Sequence, residues 1–353
     1  MPEPTDEEVA QQFEELRPQL VGAAYRVLGS VADAEDAVQE TWLRWAAIPD
    51  KGRSEVRDPR AYLLTAATRQ ALNRVRQQQN RREDYVGPWL PEPVATDRGP
   101  AESVELADSV SMAMLVVLES LSPLERAAFV LHDVFGLSFG EVATTLDRSE
   151  AAVRQLANRA RGHVHSRRPE VVDRRRHDAV LDEFVTHLMT GDIEKFMALL
   201  APDVVLVTDG GGVKRAALRP IHGPDKVVRW LLGVIQRPDY IGAPRVELAS
   251  LNDETAVLMY VGDELDTVAF LTVENRGVTA MHFVRNPDKL GYAASGSAPA
   301  VDCGAGQRRS WTPSSVSSSG SMMSGLRTRW RNDLVRTSLG SPMTSAGGPS
   351  STT

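Results

Sequence analysis

Residues 137–164, LSFGEVATTLDRSEAAVRQLANRARGHV, carry side chains whose types and spacing suit contact with nucleic acid. They read as two short helices joined by a polar turn, the spacing of a helix-turn-helix. In the first helix Val142, Ala143 and Leu146 share one apolar face. Asp147, Arg148 and Ser149 break that pattern, and Ser149 is placed to cap the second helix by accepting from its unpaired amides. There Ala152, Val153, Leu156, Ala157 and Ala160 form the buried stripe, which leaves Glu150, Arg154, Gln155, Asn158, Arg159 and Arg161 outward. Arginine, glutamine and asparagine offer the donors that guanine and adenine edges require, and arginine also meets phosphates.

The elements that must position these residues are bounded by length and charge. A chain of 353 residues, 42% hydrophobic and 25% charged, is expected to form two or three soluble globular units, each with its own core. The net charge of -7 argues against indiscriminate binding to nucleic acid, yet the charge is unevenly spread. Residues 1–50 hold eleven acids against three arginines. Residues 57–82 hold seven arginines against Asp58, and residues 148–176 hold nine against three acids. Two basic segments read as two phosphate contacts on one duplex. A single cysteine, Cys303, provides neither a disulfide framework nor zinc-ligand spacing, and no metal or cofactor is implied. The acidic start and the absence of a run of 18 apolar residues predict a cytoplasmic chain without a signal peptide or membrane span.

Along the chain, residues 7–82 read as helical, interrupted by Gly29 and by the loop at 48–59. Residues 83–108 form a linker rich in proline and acid that contains Trp89-Leu90-Pro91-Glu92-Pro93, and 109–168 form a second helical block. From 177 to 290, helices are followed by a meander of strand-like segments, the pattern of an α+β domain. Residues 291–353, with fifteen serines and only Asp302 and Asp333 as acids, are predicted to be disordered. A native tail and a non-native extension both remain open readings.

Three segments resemble, in order, the motifs of extracytoplasmic-function (ECF) sigma factors. Residues 33–43, DAEDAVQETWL, resemble the helix of region 2 that docks on the clamp helices of the RNA polymerase β′ subunit. Residues 62–76 resemble the part of region 2 that engages the promoter −10 element, and Leu121-Ser122-Pro123-Leu124-Glu125-Arg126 with the helix-turn-helix resembles region 4, which reads the −35 element. Thr68-Arg69 stands where these factors often show Arg-Asn, and Leu156 where a polar residue is common. The WLPEP segment, Asp209-Gly210-Gly211-Gly212 with Lys214, and Asn286-Pro287-Asp288-Lys289-Leu290 resemble markers of the SigJ-type subgroup, which carries a SnoaL-like (NTF2-like) cone domain thought to regulate the sigma core. Val213 displaces the lysine by one position from its more common place.

The resemblance implies a multidomain fold: all-α region 2, all-α region 4, an α+β SnoaL-like cone domain and a disordered tail. The implied partners are core RNA polymerase, through its β′ clamp helices and β flap, and promoter DNA, with room for a small ligand in the cone and no membrane contact. The polymerase-binding candidates are Asp36, Gln39, Glu40 and Leu43, on the face opposite the core stripe of Ala34, Val38, Thr41, Trp42 and Trp45. The −10 candidates are Arg60, Arg69, Asn73 and Arg76, free where Leu63, Ala66, Ala67 and Leu72 pack. The −35 candidates are Ser149, Glu150, Arg154, Gln155, Asn158 and Arg159. Regulatory contacts are expected at Trp89, Pro91, Asp209, Gly210, Gly211, Lys214, Asn286, Asp288 and Lys289. SnoaL-like folds also include cyclases that use Asp or His as general acid/base, with Asp209, His222 and His282 as candidates here. Turn chemistry at Asp209 and an alternating strand position at His282 favour structural roles, so a non-enzymatic promoter-specificity subunit is the expectation. The alternatives are a stand-alone helix-turn-helix regulator and a cyclase or isomerase fused to a DNA-binding module.

Overall fold

The structure, a computed structural model, describes residues 6–95, 110–170, 172–235, 245–295 and 310–311. Four helices come first: α1 (Asp6–Leu28), α2 (Val31–Ala46), the short α3 (Asp50–Ser54) and α4 (Pro59–Glu83). Gly29 ends α1 with φ +70°, its N–H donating to the Tyr25 carbonyl, and Ser30 caps α2 by accepting from Asp33 N. Asp58 accepts from Ala61 N at the start of α4, where Pro59 has no N–H to leave unpaired.

A second helical unit comprises α5 (Met112–Glu119), α6 (Pro123–Phe129), a π-helical turn (Val130–Val134), α7 (Phe139–Leu146) and α8 (Glu150–Arg167). Ser122 with Glu125 and Ser138 with Glu141 form complete capping boxes, and Ser149 accepts from Ala152 N as its position predicts. Asp147 turns the chain between α7 and α8 in the left-handed conformation, φ +52°. Such a φ is open to aspartate because its short polar side chain tolerates it.

The expectation that each unit buries its own core is corrected by the packing of these two. Leu63, Leu64 and Ala67 of α4 share one hydrophobic cluster with Val130, Leu131, Val142 and Leu146. The apolar stripe of α7 is divided between its partner α8 and α4, so the helical units close on each other as one body.

The third part begins with α9 (Arg174–Thr190) and α10 (Ile193–Leu199), then β1 (Leu200–Asp209), β2 (Ile221–His222), α11 (Pro224–Ile235), β3 (Arg245–Leu251), β4 (Glu254–Val261), β5 (Glu264–Glu274) and β6 (Gly277–Val284). A 3₁₀ turn (Pro287–Lys289) and α12 (Gly291–Ser295) follow, and β7 (Ser310–Trp311) pairs with β3. The strand order is β2-β1-β6-β5-β4-β3-β7, with β1 and β6 parallel and the other neighbours antiparallel. One sheet face is filled against α9, α10 and α11 by side chains such as Phe184, Phe196, Leu206, Met281 and Phe283. Leu258, Tyr260, Val268 and Phe270 on the opposite face pack with Leu90, Ala95 and Met112. The sheet is therefore covered on both sides.

Two expectations for flanking segments change. Residues 84–95 are not a free linker: residues 90–95 are buried throughout, and Ala95 bridges to Leu251 on the sheet. Order continues past 290, because α12 places Tyr292 against the first core, with its hydroxyl donating to Glu35 at 3.0 Å. The rest of the predicted disordered tail, apart from Ser310–Trp311, lies outside the described residues.

Candidate nucleic-acid interface and interdomain linker site

On α2 the stripe predicted to be core is inside, with Trp42 half-buried against Phe13. Asp36 and Gln39 are exposed and Glu40 is half-exposed, while Leu43 is 60% exposed. Arg44 reaches Glu40 at 2.8 Å, and Arg74 from α4 reaches Asp36 at 3.3 Å. This is an acidic surface with one uncovered leucine at its centre, suited to a basic protein partner that also offers an apolar socket.

The four candidates on α4 divide into two pairs. Asn73 and Arg76 are exposed on the outer surface. Arg60 and Arg69, expected to be free for DNA, are instead held by neighbouring segments. Arg60 donates to Gln19 Oε1 at 2.8 Å and to the Phe135 carbonyl at 3.5 Å. Arg69 donates to the carbonyls of Thr144 and Thr145, the latter at 2.8 Å. Those two carbonyls lie in the last turn of α7, where unpaired C=O groups attract a cation. Thr145 Oγ1 also donates to Thr65 Oγ1 at 3.0 Å, and buried Arg126 donates to the Val27 carbonyl at 2.7 Å. The helix-turn-helix thus sits on the arginine-bearing face of α4.

The outward face of α8 remains open. Arg154, Gln155, Asn158 and Arg159 are exposed, and Glu150 pairs with Arg154 while Glu125 accepts from Arg159 at 2.7 Å. Arg154 also lies over the Phe139 ring, 4.4 Å from its centre. These contacts orient long side chains that would otherwise sample many rotamers.

The regulatory candidates converge on the linker. Asp209 is 0% exposed and its carboxylate accepts from four donors: Tyr85 OH (2.6 Å), Gly211 N (3.1 Å), Leu90 N (2.9 Å) and Lys289 Nζ (2.7 Å). Lys289 also donates to the Leu90 carbonyl at 2.6 Å and lies 3.8 Å from the centre of the Trp89 ring. Asn286 donates to Tyr85 OH at 3.0 Å and accepts from Asp288 N at 3.1 Å. The Tyr85 hydroxyl is pushed above its ordinary pKa by burial and by its hydrogen bond to the Asp209 carboxylate, so it stays protonated and donates. Lys214 does not join this hub; with Val213 bulging outward, it pairs with Asp266 at 3.1 Å, beside the buried Arg285–Asp266 pair at 2.8 Å.

Pro91, one residue past Leu90, is buried in the same stretch of chain. Gly210 and Gly211 allow the close approach: a Cβ at Gly210 would meet the Lys214 carbonyl, and one at Gly211, φ +61°, would meet the Asn286 amide. We expect Gly211→Ala to cost about 1–2 kcal/mol from the positive φ alone, seen as a lower midpoint in urea unfolding.

The same linker is tied to α1 and to the sheet. Tyr25 OH donates to the Glu92 carbonyl at 2.7 Å, and Glu92 Oε2 accepts from Val31 N at 2.8 Å. Asn252 accepts from Val94 N at 3.1 Å and donates to Tyr25 OH at 3.0 Å. Glu254 accepts from Met112 N at 2.7 Å, fastening α5 to the sheet. Sequence reasoning missed Tyr25, Tyr85, Asn252 and Glu254; Asn252 and Asp253 at positive φ in the β3–β4 turn offered only a turn signal.

Burial raises Glu92 and Glu254 each to about 7, with the donated backbone hydrogen bonds opposing. The folded state then binds protons that the unfolded state, near 4.5, has released. Stability from these two groups is complete below about 4.5 and falls as pH rises towards about 7. His282, lowered to about 4 by burial, acts in the opposite sense between about 4 and 6.5. With two carboxyls against one imidazole, Glu92→Gln should flatten the decline in urea-unfolding stability between pH 5 and 7; an unchanged slope would exclude Glu92 as its source.

The three acid/base candidates lie on the neighbouring strands β2, β1 and β6. Asp209 is saturated by its four donors, and His222 is exposed at the β1–β2 pair. His282 is on the face opposite the one covered by α9–α11, whereas its neighbours Met281 and Phe283 point into that core. His282 lines a cleft beside α5 and the end of α8 whose lining includes neither Asp209 nor His222. Among the described residues there is no cluster of three or more His, Cys, Asp or Glu able to hold a metal, and no helix is long and apolar enough to cross a membrane.

Residues 12–81 match the family model of Sigma-70 region 2, and residues 111–164 that of Sigma-70, region 4. The chain is 41% identical over 292 residues to the ECF RNA polymerase sigma factor SigJ of Mycobacterium tuberculosis, covering 79% of this chain and 92% of that one. It is 30% identical over 278 residues to the probable ECF RNA polymerase sigma factor SigI of the same species, covering 78% and 92%. The crystal structure of M. tuberculosis SigJ superposes with a TM-score of 0.64 at 36% identity, over 82% of this chain and 99% of that one.

Proposed function

Since this chain belongs to the ECF RNA polymerase sigma factors, which direct core polymerase to promoter DNA, we propose that it does so in an opened form of the structure described above. The observation that carries this reading is the seat of α7 on α4, where Thr144, Thr145 and Phe135 occupy Arg69 and Arg60. A duplex spanning both DNA-reading helices requires that contact to separate.

In the opened form Asp36, Gln39, Glu40 and Leu43 dock on the β′ clamp helices, and the second helical unit reaches the β flap. Arg60, Arg69, Asn73 and Arg76 engage the −10 element. Ser149, Glu150, Arg154, Gln155, Asn158 and Arg159 engage the −35 element. The sheet domain governs opening through the linker, with Asp209 and Lys289 as its clasp, supported by Trp89, Pro91, Gly210, Gly211, Asn286 and Asp288. Lys214 contributes from within the sheet domain by bracing Asp266. The protein acts by binding and positioning; the polymerase carries the covalent chemistry. A ligand within the helix-covered side of the sheet would have to displace Phe184, Phe196 and Phe283.

Leu43→Asp tests the docking surface. Because Leu43 is 60% exposed, the variant should melt as the parent does yet bind core polymerase at least ~10-fold more weakly, an apolar anchor being worth about 1.5–3 kcal/mol. Unaltered affinity in a core-binding titration would remove α2 as the docking helix.

A further inference from the structure

The outward face of α8 is held from outside the helix. Arg154 lies over the ring of Phe139, the first residue of α7, and Arg161, two turns further along α8, has its guanidinium carbon 5.9 Å from the centre of the same ring. Asp133 of the π-helical turn accepts from Arg161 at 2.5 Å. The Arg154 side chain stays 56% exposed: Glu150 takes one of its N–H groups, and the rest of the fork has no hydrogen-bond partner among the described residues.

The ring is itself fixed. Ser138 and Glu141 close a capping box around the start of α7, and the His132 imidazole stacks on Phe139 with ring centres 3.9 Å apart and planes inclined by 27°. His132 Nδ1 donates to the Leu137 carbonyl at 2.7 Å, which ties the stack to the turn before α7. Packing alone does not call for an aromatic residue here. Phe139 is half-buried against the cluster shared with α4, a place that leucine would also suit, but only an aromatic face attracts a guanidinium.

We propose that Phe139 is a positioning residue for promoter reading: its ring holds the Arg154 fork in the attitude that meets one base pair of the −35 element, and His132 fixes the ring. A guanidinium ordered before binding loses less rotamer freedom on contact, so the gain falls on the base pair it reads rather than on every phosphate contact. The inference rests on α8 being the −35-reading helix, which Arg154→Gln tests by itself.

The measurement is competition binding by the holoenzyme, full chain with core polymerase, to promoter duplexes in which each −35 base pair is changed in turn. R154Q should lose preference at one position by about 10-fold. F139L keeps an apolar side chain against the cluster without the aromatic face, and should lose about 3-fold at that same position and at no other. F139Y keeps the ring and should retain the parental preference, and F139L added to R154Q should change nothing further. Each preference is a ratio within one variant, so a smaller folded fraction of F139L cancels. R154Q with parental preference at every position would remove Arg154 from base reading and the proposal with it. A one-position loss in R154Q beside parental preference in F139L overturns the role of Phe139 alone, as does a loss in F139L that spreads over all positions or that F139Y shares.

Discussion

Asp209→Ala is expected to lower folding stability by about 3–5 kcal/mol, the cost of leaving a buried lysine without its anion. Four donors lose their acceptor at once, among them the Leu90 amide that pins the linker and the Lys289 ammonium packed on Trp89. Lys289→Met should cost less, because its removal leaves Asp209 with three donors. Combining the two changes should then cost clearly less than the sum of the singles, which a double-mutant cycle in urea measures. The same Asp209 variant should yield more promoter-specific run-off transcript from core polymerase at equal protein concentration. Equal stability would mean that the carboxylate is a mere turn former; equal transcript with lost stability would detach the clasp from regulation.

Locking α4 to α7 should have the opposite effect. The hydroxyls of Thr65 and Thr145 are 3.0 Å apart, so Thr65→Cys with Thr145→Cys places two sulfurs within reach of a disulfide. In a Cys303→Ser background no other thiol competes. Oxidised, the variant should give no detectable run-off transcript, since Arg69 stays bonded to the Thr144 and Thr145 carbonyls of α7; reduction should restore transcription. Core polymerase binding should likewise weaken in the oxidised form and recover on reduction, because the partner selects the open form. A disulfide-bonded form that still transcribes would show that closure at this contact is compatible with promoter use.

Much of this architecture is legible in the residues themselves. The 3.6-residue stripes place α1, α2, α4 and α8, and Asp147-Arg148-Ser149 marks the turn between the paired helices. Asp209 and Lys289 stand out by motif, but a carboxylate before three glycines reads equally as a local turn, and only the fold brings Leu90 and Tyr85 to it. Arg60 and Arg69 mislead for a different reason. A polar helix face says that nothing in its own bundle buries it, and it is silent on a second bundle whose carbonyls arrive from residues 135–145. One signal of the closed arrangement is present in β5, where residues 266–273 are buried on both faces of the strand. A run such as Val268-Ala269-Phe270-Leu271 without polar alternation marks a strand covered on both sides. The outer cover proves to be the linker and α5, elements that precede β5 by more than a hundred residues.

The cluster shared by α4 and α7 also bears on how the free protein behaves before it meets polymerase. Separating the helical units uncovers Val130, Leu131, Val142 and Leu146 together, an apolar surface prone to self-association in water. The open form therefore persists only where another macromolecule shields that surface, and its share of the free population sets the affinity polymerase sees. If about one molecule in a hundred is open, the apparent Kd for a partner selecting that form is raised about a hundredfold over the intrinsic one. Cellular concentration of the factor and the stability of one helix–helix seam thereby become interchangeable controls on promoter output.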